Sequence, residues 1–170
     1  MRKLLILAAL PALAVASPAL AQVTGQVDID GSVAARCLFT LPNATISLGE
    51  LSLTSNGKLD AAKVNGRSAT LSGWCNGAAS TMTVTTTQLT TGTAAMTGFD
   101  NRVDYTAQAT ANSVPASDSS LTAGAGSAAT VGMFSGDITV LLSAASSPAN
   151  GIMVAGTYTG NVKVTLTPAL

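Results

Sequence analysis

The chain has 170 residues, eight basic and eight acidic side chains and no histidine; 47% of it is hydrophobic and only 9% is charged. A formal charge of zero excludes nucleic-acid binding through a broad basic face, and the missing histidine removes the commonest general base and metal ligand, so histidine-dependent catalysis is out. The length suits one domain, expected over residues 22–170 behind a removable leader.

Residues 1–21 read as an export signal. Arg2 and Lys3 form a positive start, Leu4 to Val15 is an apolar run interrupted by Pro11, and Ala19-Leu20-Ala21 supplies a small-residue cleavage site. The run is short of the roughly 20 apolar residues of a spanning helix, and no later stretch reaches that length, so the mature chain is expected to be exported, soluble or bound to a surface through protein contacts, without a membrane span. Removing the leader leaves six basic against eight acidic groups. An exported chain with two cysteines and no third is expected to pair them, Cys37 with Cys75. A thiol pair binding metal would lack any histidine or further cysteine to complete the site.

From Val23 to Cys37 the odd positions read Val, Gly, Val, Ile, Gly, Val, Ala, Cys, while the even ones begin Thr, Gln, Asp, Asp, Ser. Such a two-residue period predicts a strand. Further strands are expected over Thr45–Leu51, over Arg67–Cys75 with Ala69, Leu71 and Cys75 on one face, and over Met82–Leu89. Val103, Tyr105, Ala107 and Ala109 alternate with polar residues, Ile138, Val140 and Leu142 mark a late strand, and Tyr158, Gly160, Val162, Val164 and Leu166 mark the last. Turn signals separate them at Ser55-Asn56-Gly57, Asn65-Gly66, Asn76-Gly77, Thr91-Gly92 and Pro148-Ala149-Asn150-Gly151. Residues 111–130, rich in Ala, Ser, Gly and Thr, read as a loop or surface excursion with room for a short strand around Val114. About seven short strands with this punctuation predict an all-β chain, an antiparallel sandwich.

These residues resemble a known family. Gly25-Gln26-Val27-Asp28-Ile29-Asp30-Gly31, then Cys37, then Thr45-Ile46-Ser47-Leu48-Gly49-Glu50-Leu51, are similar to the opening of chaperone-usher pilins and of spore coat U-like secreted proteins. The second cysteine closing Ala69-Thr70-Leu71-Ser72-Gly73-Trp74-Cys75 and the final Ala155–Thr167 stretch also match, the latter nearest the spore coat U type. The resemblance implies an immunoglobulin-like antiparallel β-sandwich that lacks its last strand and is completed by a donor strand. Its implied partners are a periplasmic chaperone, an outer-membrane usher and sibling subunits. Val23, Gly25, Val27 and Ile29 are then the candidate donor strand, and Tyr158, Val162, Val164 and Leu166 the candidate groove edge that meets the chaperone. The alternation itself is equally that of resident strands in a complete sandwich. Fifteen residues, Gln22 to Arg36, precede Cys37, and no penultimate aromatic closes the chain, two departures from pilins that the spore coat U type tolerates.

Other chemistry finds little support. Asp28-Ile29-Asp30-Gly31 has its glycine misplaced for a calcium loop and no closing glutamate. No G-x-S-x-G elbow occurs, and nothing around Lys58, Lys63 or Lys163 recommends Ser–Lys catalysis. Trp74 is expected to pack on the disulfide rather than stack on a sugar, and Asn43-Ala44-Thr45 matches a glycosylation sequon of little weight in view of the bacterial source that the short signal and the resemblance imply. No cofactor and no enzymatic activity are expected. The reading is a structural subunit of a surface fibre or coat, the alternative a secreted monomeric binding module, adhesive or carbohydrate-binding, on the same fold.

Overall fold

The computed structural model describes residues 22–170, which fall into two units divided after Ser32. The expected leader, residues 1–21, lies outside the described residues. In the first unit, residues 22–32 contain no helix or strand, and Val23, Val27 and Ile29 are 91%, 86% and 91% exposed. The strand expected from Val23 to Cys37 is therefore not formed over most of its length. Alternation provides a face, but a strand exists only where a neighbour takes its backbone hydrogen bonds.

The second unit, residues 33–170, is built from eleven strands: β1 (Cys37–Leu41), β2 (Ser68–Cys75), β3 (Thr81–Thr86), β4 (Leu89–Thr90), β5 (Phe99–Asp100), β6 (Arg102–Ala111), β7 (Val114–Ser119), β8 (Ala129–Thr130), β9 (Phe134–Ser146), β10 (Ile152–Met153) and β11 (Val162–Thr167). The helical content among the described residues is one 3-10 turn, Ala61–Lys63, whose first turn is capped by Asp60 Oδ1 accepting from the Ala62 N–H. The expected all-β class is what forms. The larger sheet runs β1-β2-β9-β6-β4, with β7 also paired to β6; the smaller runs β11-β3-β8, and both are antiparallel. A two-residue parallel pair, β10 with β5, stands apart from them.

The strands form where the two-residue period has partners on both sides. On β6, Val103, Tyr105, Ala107, Ala109 and Ala111 are buried, and on β9 Ile138, Val140 and Leu142 face the same way. Met82 and Val84 of β3 and Val164 of β11 belong to the same core cluster, so the apolar faces of the two sheets enclose one interior. Each fully buried side chain of this size contributes about 1.5 to 3 kcal/mol. The sheets are also joined by a polar link. Asp118 on β7 is buried and accepts from the Thr86 N–H and Thr86 Oγ1, both at 2.7 Å.

Residues 111–130 contain more structure than a loop. A turn with Asn112 and Ser113 at positive φ reverses β6 into β7, and β8 follows. The strand allowed for around Val114 is thus present.

Cys37 and Cys75 are disulfide-bonded at opposed positions of β1 and β2. Asn76 extends this clamp, its Oδ1 accepting from the Arg36 N–H and its Nδ2 donating to Ala34 O. The register sets Trp74 opposite Leu38, one step from Cys75, so the indole occupies the face away from the disulfide rather than packing on it. Just after Cys75 in the chain, the Ala79 N–H donates to Ala169 O, and a Cβ on Gly77 would stand 1.9 Å from that oxygen. Only glycine permits the approach that ties down the chain after β11.

Candidate functional site

The expected strand over Thr45–Leu51 does not form, and this carries the site. After Leu41 the chain leaves β2, and residues 42–50 run as an extended strap in no sheet. Ile46 and Leu48 still turn inward onto the core, as the alternation requires. Among the described residues, however, positions 42–49 make no backbone–backbone hydrogen bond.

β11 has the complementary deficit. Thr87 and Asn161 form a hydrogen-bonded pair, the Thr87 N–H donating to Asn161 O at 2.9 Å and the Asn161 N–H to Thr87 Oγ1 at 2.8 Å. In an antiparallel ladder such pairs alternate with pairs whose backbone groups point outward. Lys163, Thr165 and Thr167 therefore direct their N–H and C=O toward β3, while Val162, Val164 and Leu166 direct theirs to the free side. The Thr86 N–H, opposite Val162, confirms the phase by pointing away from β11 to Asp118. No described residue pairs with the outward groups of Val162, Val164 or Leu166.

Between strap and β11 lies a continuous groove. Its section near Phe39 and Val164 has a volume of about 390 Å³, its middle about 300 Å³, and its wide end near Leu48 and Tyr158 about 850 Å³. The middle section is floored by the larger sheet: Leu71 of β2, Val140 and Leu142 of β9, Tyr105 of β6 and Leu89 of β4. The floor is the apolar core itself.

Tyr105 spans the space between the sheets. Its hydroxyl donates to Thr87 O at 2.8 Å and to Asn161 O at 3.2 Å, holding the entry to β11. Burial, and secondarily the Asp118 carboxylate, push its phenol up to about 12. At the wide end the Tyr158 hydroxyl donates to Val154 O and Asp100 O, and its phenol is raised by burial and by the Asp100 charge.

The structure thus brings Tyr158, Val162 and Val164 to one groove, with Leu166 half-buried further along the same strand. It corrects one boundary: Tyr158 precedes β11, because Gly160 passes so close to Gln88 O that its Cβ position is 2.8 Å away and the ladder begins only at Val162. Val23, Gly25, Val27 and Ile29 are exposed in the other unit. Tyr105, Leu89 and the unpaired state of residues 42–50 were not legible as site features, since alternation marks a residue as inward without saying that its covering strand is missing.

Among the described residues no three His, Cys, Asp or Glu side chains converge on a metal position, and no helix is long and apolar enough to cross a membrane. No protein-family model, no curated protein and no solved structure matches the chain.

Proposed function

We propose that the chain is an exported structural subunit of a bacterial surface fibre or coat, assembled by β-strand complementation. Its partners on this reading are a periplasmic chaperone, an outer-membrane usher and sibling subunits. The observation that carries the reading is a pair of backbone edges without partners among the described residues, residues 42–49 and the outward groups of Val162 and Val164, facing each other across an apolar groove. A strand laid between them hydrogen-bonds on both sides and covers the exposed floor. That is strand addition in its strongest form, with main-chain bonds supplying affinity and alternate side chains supplying fit. Left open, the same edge is a site for uncontrolled association.

The donor on this reading is residues 23–29 of a neighbouring copy. Val23, Gly25, Val27 and Ile29 present one face at the required spacing, and seven residues extend over roughly 20 Å, the length of the six-residue β11. The disulfide and the groove suit a module that passes through an oxidising compartment and is completed there.

The test deletes Gln22–Asp30. The expected result is a folded subunit that no longer yields ladders of polymers in unheated surface extracts. If the deletion unfolds the domain while the intact protein is a partner-free monomer, the segment is a resident strand and the reading fails.

A further inference from the structure

The two walls of the groove are arranged so that they can also meet each other. Phe39 and Ala44 share the first section with Val162 and Val164, while Ile46 and Leu48 share the wide end with Gly160 and Tyr158. Sequence position therefore rises along the strap as it falls along β11, which is antiparallel alignment. The strap is fixed at both ends: β1 is bonded to β2 and clamped by the disulfide, and the Asp60 N–H donates to Leu51 O at 2.8 Å beside the Ser52–Leu59 bridge. Between these anchors residues 43–49 carry backbone donors and acceptors that find no backbone partner among the described residues, following Pro42, which has no N–H to offer. Gly49, at φ 69°, supplies a pivot next to the second anchor.

We infer that in the absence of a donor strand the strap over residues 43–49 swings onto the free edge of β11 and pairs with it antiparallel, closing the groove and withholding the subunit from assembly. The closure rests on the reading of the groove as the strand-accepting site and adds its regulation. The same N–H and C=O groups of Val162 and Val164 serve the strap in the closed monomer and the donor in the assembled state, so the two are mutually exclusive. Closure satisfies an edge whose unpaired backbone groups border apolar surface, and that supplies its driving force. Ile46 and Leu48 already face the core, so the strap keeps its inward face as it moves.

The test is residue-resolved amide exchange on the monomeric fraction of the full chain, alone, after dilution, and with a synthetic peptide of residues 22–32. Closure expects the N–H groups of Val162 and Val164 to be protected about tenfold or more in the chain alone at both concentrations. Ala44→Pro, which removes a strap donor of the inward phase at an exposed position beside Val162, is expected to abolish that protection and to speed peptide uptake by about tenfold. Ile46→Pro, of the same phase, serves as the second variant, and the wild-type measurements decide even where a proline variant misfolds. Free exchange of these two amides in the chain alone overturns closure. So does protection lost on dilution, which assigns the edge to a second copy, or protection unchanged in both variants, which assigns it to another segment. Peptide that enters neither wild type nor variants refutes the strand-accepting reading instead.

Discussion

Tyr105→Phe tests whether the phenol that crosses the groove floor ties the two sheets together. Its hydroxyl is the hydrogen-bond partner of Thr87 O among the described residues, whereas Asn161 O also accepts from the Thr87 N–H. Removing the hydroxyl therefore strands one carbonyl at a partly hydrated position, a loss of about 1 kcal/mol at neutral pH. The second part of the effect depends on pH. The folded phenol is raised to about 12 while an unfolded tyrosine titrates at about 10, so the contribution is fully present below about pH 10 and is lost as pH rises toward 12. Two units correspond to at most about 2.7 kcal/mol, and partial hydration at the groove reduces this to about 2. Wild type should be the more stable protein at neutral pH, and its curve should meet that of the variant near about pH 11. Urea unfolding followed by far-UV circular dichroism, from about pH 7 to about pH 11, measures both quantities; subtracting the variant cancels the other groups that titrate there. Curves that run parallel between about pH 9 and pH 11 would refute the reasoning, because they require a phenol with the same affinity for its proton in both states.

Two further predictions concern the rest of the domain. Replacing Cys37 and Cys75 together by alanine releases a crosslink with a sequence separation of 38, for which the chain-entropy estimate is about 4 kcal/mol, and unchanged urea stability would contradict it. Asp100 is buried, which alone would raise its carboxyl, but the N–H groups of Gly151 and Ala149, the Ser147 hydroxyl and the Arg102 charge hold it below the usual carboxylate range. Its stabilisation is thus present above the unfolded value and lost as pH falls through the folded one, so melting temperatures of wild type and Asp100→Asn should converge only below about pH 4.

The closure and the exchange reading both turn on backbone groups rather than on side-chain chemistry. No catalytic constellation is needed for either. A strand-accepting edge asks only for consecutive N–H and C=O groups in ladder geometry beside an apolar floor, and the outward phase of Val162, Val164 and Leu166 provides that. The disulfide joins β1 to β2, and neither cysteine lines the groove, so it fixes the strap's origin without occupying the groove.

Sequence alone determined the all-β class, the strands β2, β6 and β9, the core of β11, and the Cys37–Cys75 pair. In each of these strands the alternation is long enough to specify one inward face, and two cysteines in the chain leave one pairing. It also marked the inward direction of Ile46 and Leu48, which the structure keeps. Whether such a segment becomes a strand was beyond its reach. Thr45–Leu51 and Val23–Ile29 alternate as clearly as Val162–Leu166, yet only the last is a strand, because β3 lies beside it and takes its hydrogen bonds. Conversely, β7 was legible only as room for a short strand around Val114 in a run of small polar residues, and it forms because β6 pairs with it and Asp118 finds Thr86 across the interior. Periodicity is local and records which way side chains point; pairing is a relation between distant segments. The groove, its two free edges and the tyrosine that bridges its floor therefore became visible only in the tertiary structure.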